Sequence, residues 1–107
     1  GFLPGVSAPV ILGGGLIGLK IAHTLTQLGK PPVVIVSSGQ ILSRTLDSHT
    51  AGFIQNLFEE HGVVFHLSTS PKSADWNGKS GMGQLLTDTG RKIPFDTIFA
   101  GKGVTPR

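Results

Sequence analysis

Ten residues constrain this chain more than any others: Pro9-Val10-Ile11-Leu12-Gly13-Gly14-Gly15-Leu16-Ile17-Gly18. A short apolar run meets three consecutive glycines, and an apolar helical pattern follows. That order reads as a buried strand, a tight turn and a helix start. Gly13 allows a sharp turn off the strand, Gly15 leaves the backbone bare, and Gly18 lets the helix lie close to the strand.

Gly13, Gly15 and Gly18 also fit the spacing G-x-G-x-x-G. In this strand–turn–helix setting the pattern points to a dinucleotide whose pyrophosphate rests on the helix N-terminus. Unpaired N–H groups and the positive end of the helix dipole supply the attraction. Leu16 and Ile17 can offer backbone N–H groups, while their side chains read as core.

The surrounding pattern is α/β. The helix from about Leu16 to Leu28 carries Ile17, Ile21, Leu25 and Leu28 at helical spacing, which predicts one stripe facing a sheet. Gly29-Lys30-Pro31-Pro32 ends it. Val33 to Val36 is a β-branched run suited to a parallel strand buried on both faces. A second helix is expected from Asp47 or Ser48 to His61, capped by one of those two residues. Its expected buried face is Phe53, Ile54, Leu57 and Phe58, and Gly62 ends it. Val63 to Leu67 is the third strand. Short strands at Lys72–Trp76, Gly83–Asp88 and Lys92–Pro94 follow, with Asn77-Gly78 and Thr89-Gly90 as turns and Trp76 packed among them. Thr97–Ala100 closes the set and returns beside the first strand. The expected fold is a Rossmann-type parallel sheet of order 3-2-1-4, with two helices and a small antiparallel β-meander.

The chain has 107 residues, enough for a single domain spanning 1–107. Its net charge of +3 is scattered and contains no Lys/Arg run, so no nucleic-acid footprint is expected. It has no cysteine, which removes disulfides and thiolate metal sites. Such a composition is compatible with a cytoplasmic location, and no apolar run approaches the roughly 18 residues that span a bilayer. His23, His49, His61 and His66 lack metal-ligand spacing and read as surface residues. Ser37, Ser38 and Ser43 lack a nucleophile-elbow context. Residues 1–8 read as a linker, and the two ends suggest a segment of a longer protein.

Dinucleotide sites of this type carry an acidic residue about 20 positions on, at the end of the second strand, where it binds the adenosine ribose. Here Val36, Ser37 and Ser38 occupy that stretch. Ser37 and Ser38 can donate to a 2′-phosphate, with Lys30 or Arg44 adding charge, which favours NADP(H) or dual use. Alternatively, they accept from the ribose with poor discrimination, or simply satisfy backbone groups in the loop.

Val10 to Leu19, Leu46-Asp47 and Asp96 to Pro106 resemble the central NAD(P)H-binding domain of the pyridine nucleotide-disulfide oxidoreductases. Within that group the chain looks most like NADH-dependent flavin dehydrogenases such as ferredoxin, rubredoxin or nitrite reductase components. The resemblance implies an FAD domain and a dimerisation domain elsewhere in a parent chain, which would be a homodimer. It implies that Gly101 approaches the cofactor and that Gly103 and Pro106 lead back toward the FAD domain, with Lys102 exposed. Lys20 stands where many members carry glutamate. The expected function is to hold NAD(P)H and present its nicotinamide to FAD. The competing expectation is a non-catalytic module that holds or senses a dinucleotide.

Overall fold

In a computed structural model, residues 8–42, 46–77 and 82–100 are described. Strand β1 (Pro9–Leu12) runs through the glycine turn into helix α1 (Leu16–Gln27). Strand β2 (Val33–Ile35), helix α2 (Ser48–Glu60) and strand β3 (Val64–His66) follow. Strands β4 (Pro71–Asn77), β5 (Met82–Thr87) and β6 (Lys92–Phe95) lead to β7 (Thr97–Ala100).

The parallel sheet has the order β3-β2-β1-β7, the expected 3-2-1-4 arrangement with β7 as its fourth strand. The other sheet is the expected meander, β4-β5-β6. Val10 pairs with Val33 on one side and Ile98 on the other, so β1 is the central strand beneath the site. Asp96 ties the entry of β7 to the start of β1: its N–H donates to the Ala8 carbonyl, and its Oδ1 accepts the Ala8 N–H, both at 3.0 Å.

Side chains alternate across this sheet. Ile11 and Val34 face α1 and α2, in a core with Leu19, Ala22, Leu25 and Ala51. Val10 and Ile35 face the meander, in a second core with Leu85, Ile93 and Phe95. Both faces are therefore dry, which is why β1 and β2 read as continuous apolar runs.

The helices differ from the sequence expectation in which face they bury. On α1 the buried residues are Gly18, Leu19, Ala22 and Leu25. Leu16 and Ile17 are 61% and 49% exposed, and Leu28 is exposed too. The contact at Gly18 sets this rotation. A Cβ there would fall 2.5 Å from the Gly13 carbonyl oxygen and 3.3 Å from Ile11 Cγ2. The helix sits against the strand through its smallest residue, so the stripe is one position away from the one its large residues suggest. On α2 only Ala51 is buried; Ile54 and Phe58 are half-buried, while Phe53 and Leu57 are 62% and 45% exposed.

Both helices end in the same way. Gly29 and Gly62 take positive φ, and the amides of Lys30 and Val63 reach back to the carbonyls of Leu25 and Phe58 at 2.9 and 3.2 Å. This is the Schellman pattern, and it turns the chain toward the next strand. Asp47 occupies the N-cap of α2, off good hydrogen-bond geometry to the amides. Its carboxyl pKa is lowered, first by a hydrogen bond with the Thr50 side chain.

In the meander Trp76 stacks on Phe95 at 5.9 Å between ring centroids yet stays 56% exposed, so it caps that core from outside. Gly83 makes room for the Phe95 ring, whose Cζ would lie 2.5 Å from an added Cβ. No helix among the described residues is long and apolar enough to cross a membrane.

Candidate functional site

The site begins where β1 stops. Gly13 continues the ladder, donating its N–H to the Ile35 carbonyl at 2.8 Å, and then turns at φ 118°. A side chain is strained at that dihedral. Gly14 is packed from behind: a Cβ would meet Val36 Cγ2 at 2.9 Å and Ile41 Cα at 3.5 Å. Its carbonyl accepts the Leu42 N–H at 2.8 Å, joining the glycine turn to the loop after β2. Sequence reasoning passed over Gly14 because the fingerprint treats it as a free position.

Gly15 is different. It is the N-cap of α1 in extended backbone, and an added Cβ would meet nothing within 4 Å. The protein itself does not require this glycine, and the space before it is open. The first intrahelical bond is Leu19 N–H to Gly15 carbonyl at 3.0 Å. The amides of Leu16, Ile17 and Gly18 thus lie in the turn that has no intrahelical acceptors. No acidic side chain stands in that turn to compete for them.

Beside the turn lies a cleft of about 400 Å³ at the carboxyl ends of β1 and β2. Leu12, Gly13, Ile35, Ser37, Thr69, Ser70 and Pro71 line it. Thr69, Ser70 and Pro71 were not legible as site residues, because no motif marks the entry to a meander. They are brought in by backbone pairing. Thr69 N–H donates to the Val36 carbonyl at 2.9 Å, and Ser68 N–H to the Ser38 carbonyl at 2.8 Å.

The two candidate serines separate. Ser37 is exposed on the cleft, and its hydroxyl has no partner among the described residues. Ser38 is half-buried, and its hydroxyl donates to the Gln40 carbonyl at 2.8 Å. Gln40 Nε2 in turn donates to the Leu46 carbonyl at 2.9 Å. Ser38 therefore shapes the loop. Lys30 sits before β2, at the opposite end from the cleft. The five residue-to-residue steps from Pro32 to Ser37, at about 3.3 Å each, put roughly 16 Å between the two ends of this stretch, so Lys30 adds no charge at the mouth. Arg44, Ser43, Gly78 and the segment from Gly101 to Arg107 lie outside the described residues.

On the other flank of α1, Lys20 is exposed and borders a shallow apolar groove of about 340 Å³ with Ile17, Ile21, Thr24 and Phe99. His66, at the end of β3, has its pKa lowered, first by burial and then by the charge of Arg91. Among the described residues no group of three or more His, Asp or Glu side chains is placed to hold a metal.

A glycine turn feeding a helix start at the carboxyl end of a 3-2-1-4 parallel sheet, backed by a meander, defines a Rossmann-type module. The chain belongs to the pyridine nucleotide-disulphide oxidoreductase family, which matches it over residues 4–107. Among its relatives is the rubredoxin-NAD(+) reductase of Pseudomonas putida, 32% identical over 91% of this chain and 25% of the relative. Another is the 3-phenylpropionate/cinnamic acid dioxygenase ferredoxin–NAD(+) reductase component of Photorhabdus laumondii, 35% identical over 88% of this chain and 23% of the relative. A ferredoxin reductase from Rhodopseudomonas palustris superposes with a TM-score of 0.86 at 21% identity, covering 98% of this chain and 26% of that one. The chain thus spans about a quarter of the length of the relatives it matches.

Proposed function

We propose that this chain holds NAD(P)H and presents its nicotinamide to FAD bound by the remainder of a longer oxidoreductase polypeptide. The observation that carries this reading is the open space before Gly15, beside the first-turn amides of Leu16, Ile17 and Gly18. A diphosphate fits there because those donors face it and no side chain fills the approach. Gly13 and Gly18 shape the turn. With the diphosphate centred on β1, the adenosine half extends over β2 into the cleft of Ser37, Thr69 and Ser70. The nicotinamide half then extends toward β7, whose chain continues to Gly101.

NAD(P)H supplies a hydride and FAD accepts it; the protein's part is binding and orientation. The names of the relatives, reductases acting with NAD(+) and rubredoxin or ferredoxin, support this assignment. The test is the complete parent polypeptide. It should purify yellow and bleach on anaerobic addition of NADH or NADPH, with Gly15→Val suppressing the bleaching at low nucleotide concentration. A colourless, flavin-free preparation would overturn the flavoprotein reading. Full binding by Gly15→Val would overturn the diphosphate position.

A further inference from the structure

The groove on the other flank of α1 carries a charge that the module itself does not use. It lies between α1 and β7 and is walled by Ile17, Ile21, Leu25 and Phe99, with Lys20 and Thr24 completing it. The Thr24 hydroxyl is committed, donating to the Lys20 carbonyl at 3.1 Å. Lys20 is the one charged residue of this lining, and it is exposed. Helix α1 contains no Asp or Glu, and Lys20 has no ion-pair partner among the described residues. Side chains on a helix lean toward its N-terminus, so the lysine stem covers the turn before its own Cα. Leu16 stands four residues earlier, about 6 Å along the axis, which is within the reach of a lysine side chain. The ammonium therefore belongs at the mouth of the groove, beside Ile17 and level with the open helix start. A cation there is opposed by the positive end of the helix dipole, so the stability of the module does not account for it.

We propose that Lys20 makes the site discriminate between the two oxidation states of a nicotinamide ring, holding the reduced, neutral ring in preference to the oxidised, cationic one. The inference rests on the dinucleotide reading, which extends the nicotinamide half from the diphosphate toward β7, past Lys20 and Phe99. A dihydronicotinamide ring is uncharged, and giving up a hydride leaves it with one positive charge. The diphosphate is the same in both forms, so Lys20 attracts it equally and the difference falls on the ring alone. The ammonium repels the cationic ring, and the groove supplies no carboxylate to offset that repulsion. Its apolar walls also keep water's screening weaker than in bulk. Lys20 is thus a specificity-determining residue that favours uptake of the reduced dinucleotide and release of the oxidised one.

The complete parent polypeptide is titrated by calorimetry with NAD+ and with 1,4,5,6-tetrahydro-NAD, whose ring is neutral and gives up no hydride. ADP-ribose, which has the diphosphate and no nicotinamide, serves as the reference. Lys20→Gln should tighten NAD+ relative to the tetrahydro form by about threefold or more, and Lys20→Glu by about tenfold or more. The tetrahydro form and ADP-ribose should change together, because they share the diphosphate and carry no ring charge. High salt should shrink the contrast between the unaltered protein and its variants. Lys20 is exposed and opposes the helix dipole, so both variants should melt no lower than the unaltered protein, which separates the effect from unfolding. An NAD+-to-tetrahydro-NAD affinity ratio that stays the same in both variants overturns this inference and leaves the dinucleotide reading standing. Failure of all three probes to bind the unaltered protein removes the dinucleotide reading and this inference together.

Discussion

The two strand–helix units of the parallel sheet end alike and begin differently. Each helix closes with a left-handed glycine, Gly29 or Gly62, and the same backward hydrogen bonds. At the other end, β1 reaches α1 through three glycines, whereas β2 reaches α2 through residues 36–47. The short turn presses α1 onto the sheet, with Gly18, Leu19, Ala22 and Leu25 buried. The long loop lets α2 stand off, with Ala51 alone fully buried on that helix. Tight packing in the first unit leaves one place, before Gly15, where backbone is bare for a reason other than packing. The contrast separates glycines that serve the fold from the glycine we propose serves a ligand.

Several substitutions sharpen or break that contrast. Leu25→Ala empties a fully packed position on α1 and should cost about 2–5 kcal/mol. Leu57→Ala on α2 removes a half-exposed side chain and should cost well under about 1 kcal/mol. Chemical denaturation of both variants checks the pair, and comparable losses would show that α2 is held as firmly as α1.

The matched glycine pair comes next. Gly18→Ala forces a Cβ against the Gly13 carbonyl and should destabilise by about 1–3 kcal/mol. Gly52→Ala meets open space within α2 and should stabilise by about 0.5–1 kcal/mol. The same substitution is thus expected to have opposite signs in the two helices, read as opposite shifts in Tm.

Gly15→Ala should change stability by no more than about 1 kcal/mol, the range of an N-cap exchange. It should nevertheless weaken dinucleotide binding about tenfold or more, because the new methyl enters the ligand's space rather than the protein's. Titration alongside Gly18→Ala tells the two glycine roles apart: an unaltered affinity in Gly15→Ala would erase the distinction drawn above.

The smallest expected effect concerns pH. Burial lowers the His66 pKa from its ordinary 6.5, so the unfolded chain takes up that proton first on acidification. Stability should therefore fall as pH drops below 6.5 and stop responding to this group below its folded-state pKa. His66→Gln should remove that part of the slope in denaturation midpoints measured across this window.

Much of this was legible in the residue order, and the exceptions share a cause. Element types, the 3-2-1-4 arrangement, the meander and the helix-ending glycines followed from local chemistry: β-branched runs, turn dipeptides and glycine placement. Helix rotation did not. Size and helical spacing predict Ile17 and Leu28 in the core, yet both are exposed. A helix stripe wide enough for either reading is resolved by the closest backbone approach, and that contact, Gly18 on Gly13, joins residues across a turn. Likewise Phe53 and Leu57 flank the stripe of Ile54 and Phe58 that packs on the core, but whether they too are covered depends on how far the loop after β2 lets α2 approach.

The amino-acid order alone determined the glycine turn, the absence of an acid after the second strand and the kind of sheet, because each depends on neighbours a few positions apart. The tertiary structure decided which serine is free among the described residues, that Thr69 and Ser70 line the same cleft as Gly13, and that Lys30 stands at the far end of β2. Those facts depend on where separate strands end in space. A hydroxyl's partner or a cation's distance is set by backbone pairing between segments that the chain order does not place together.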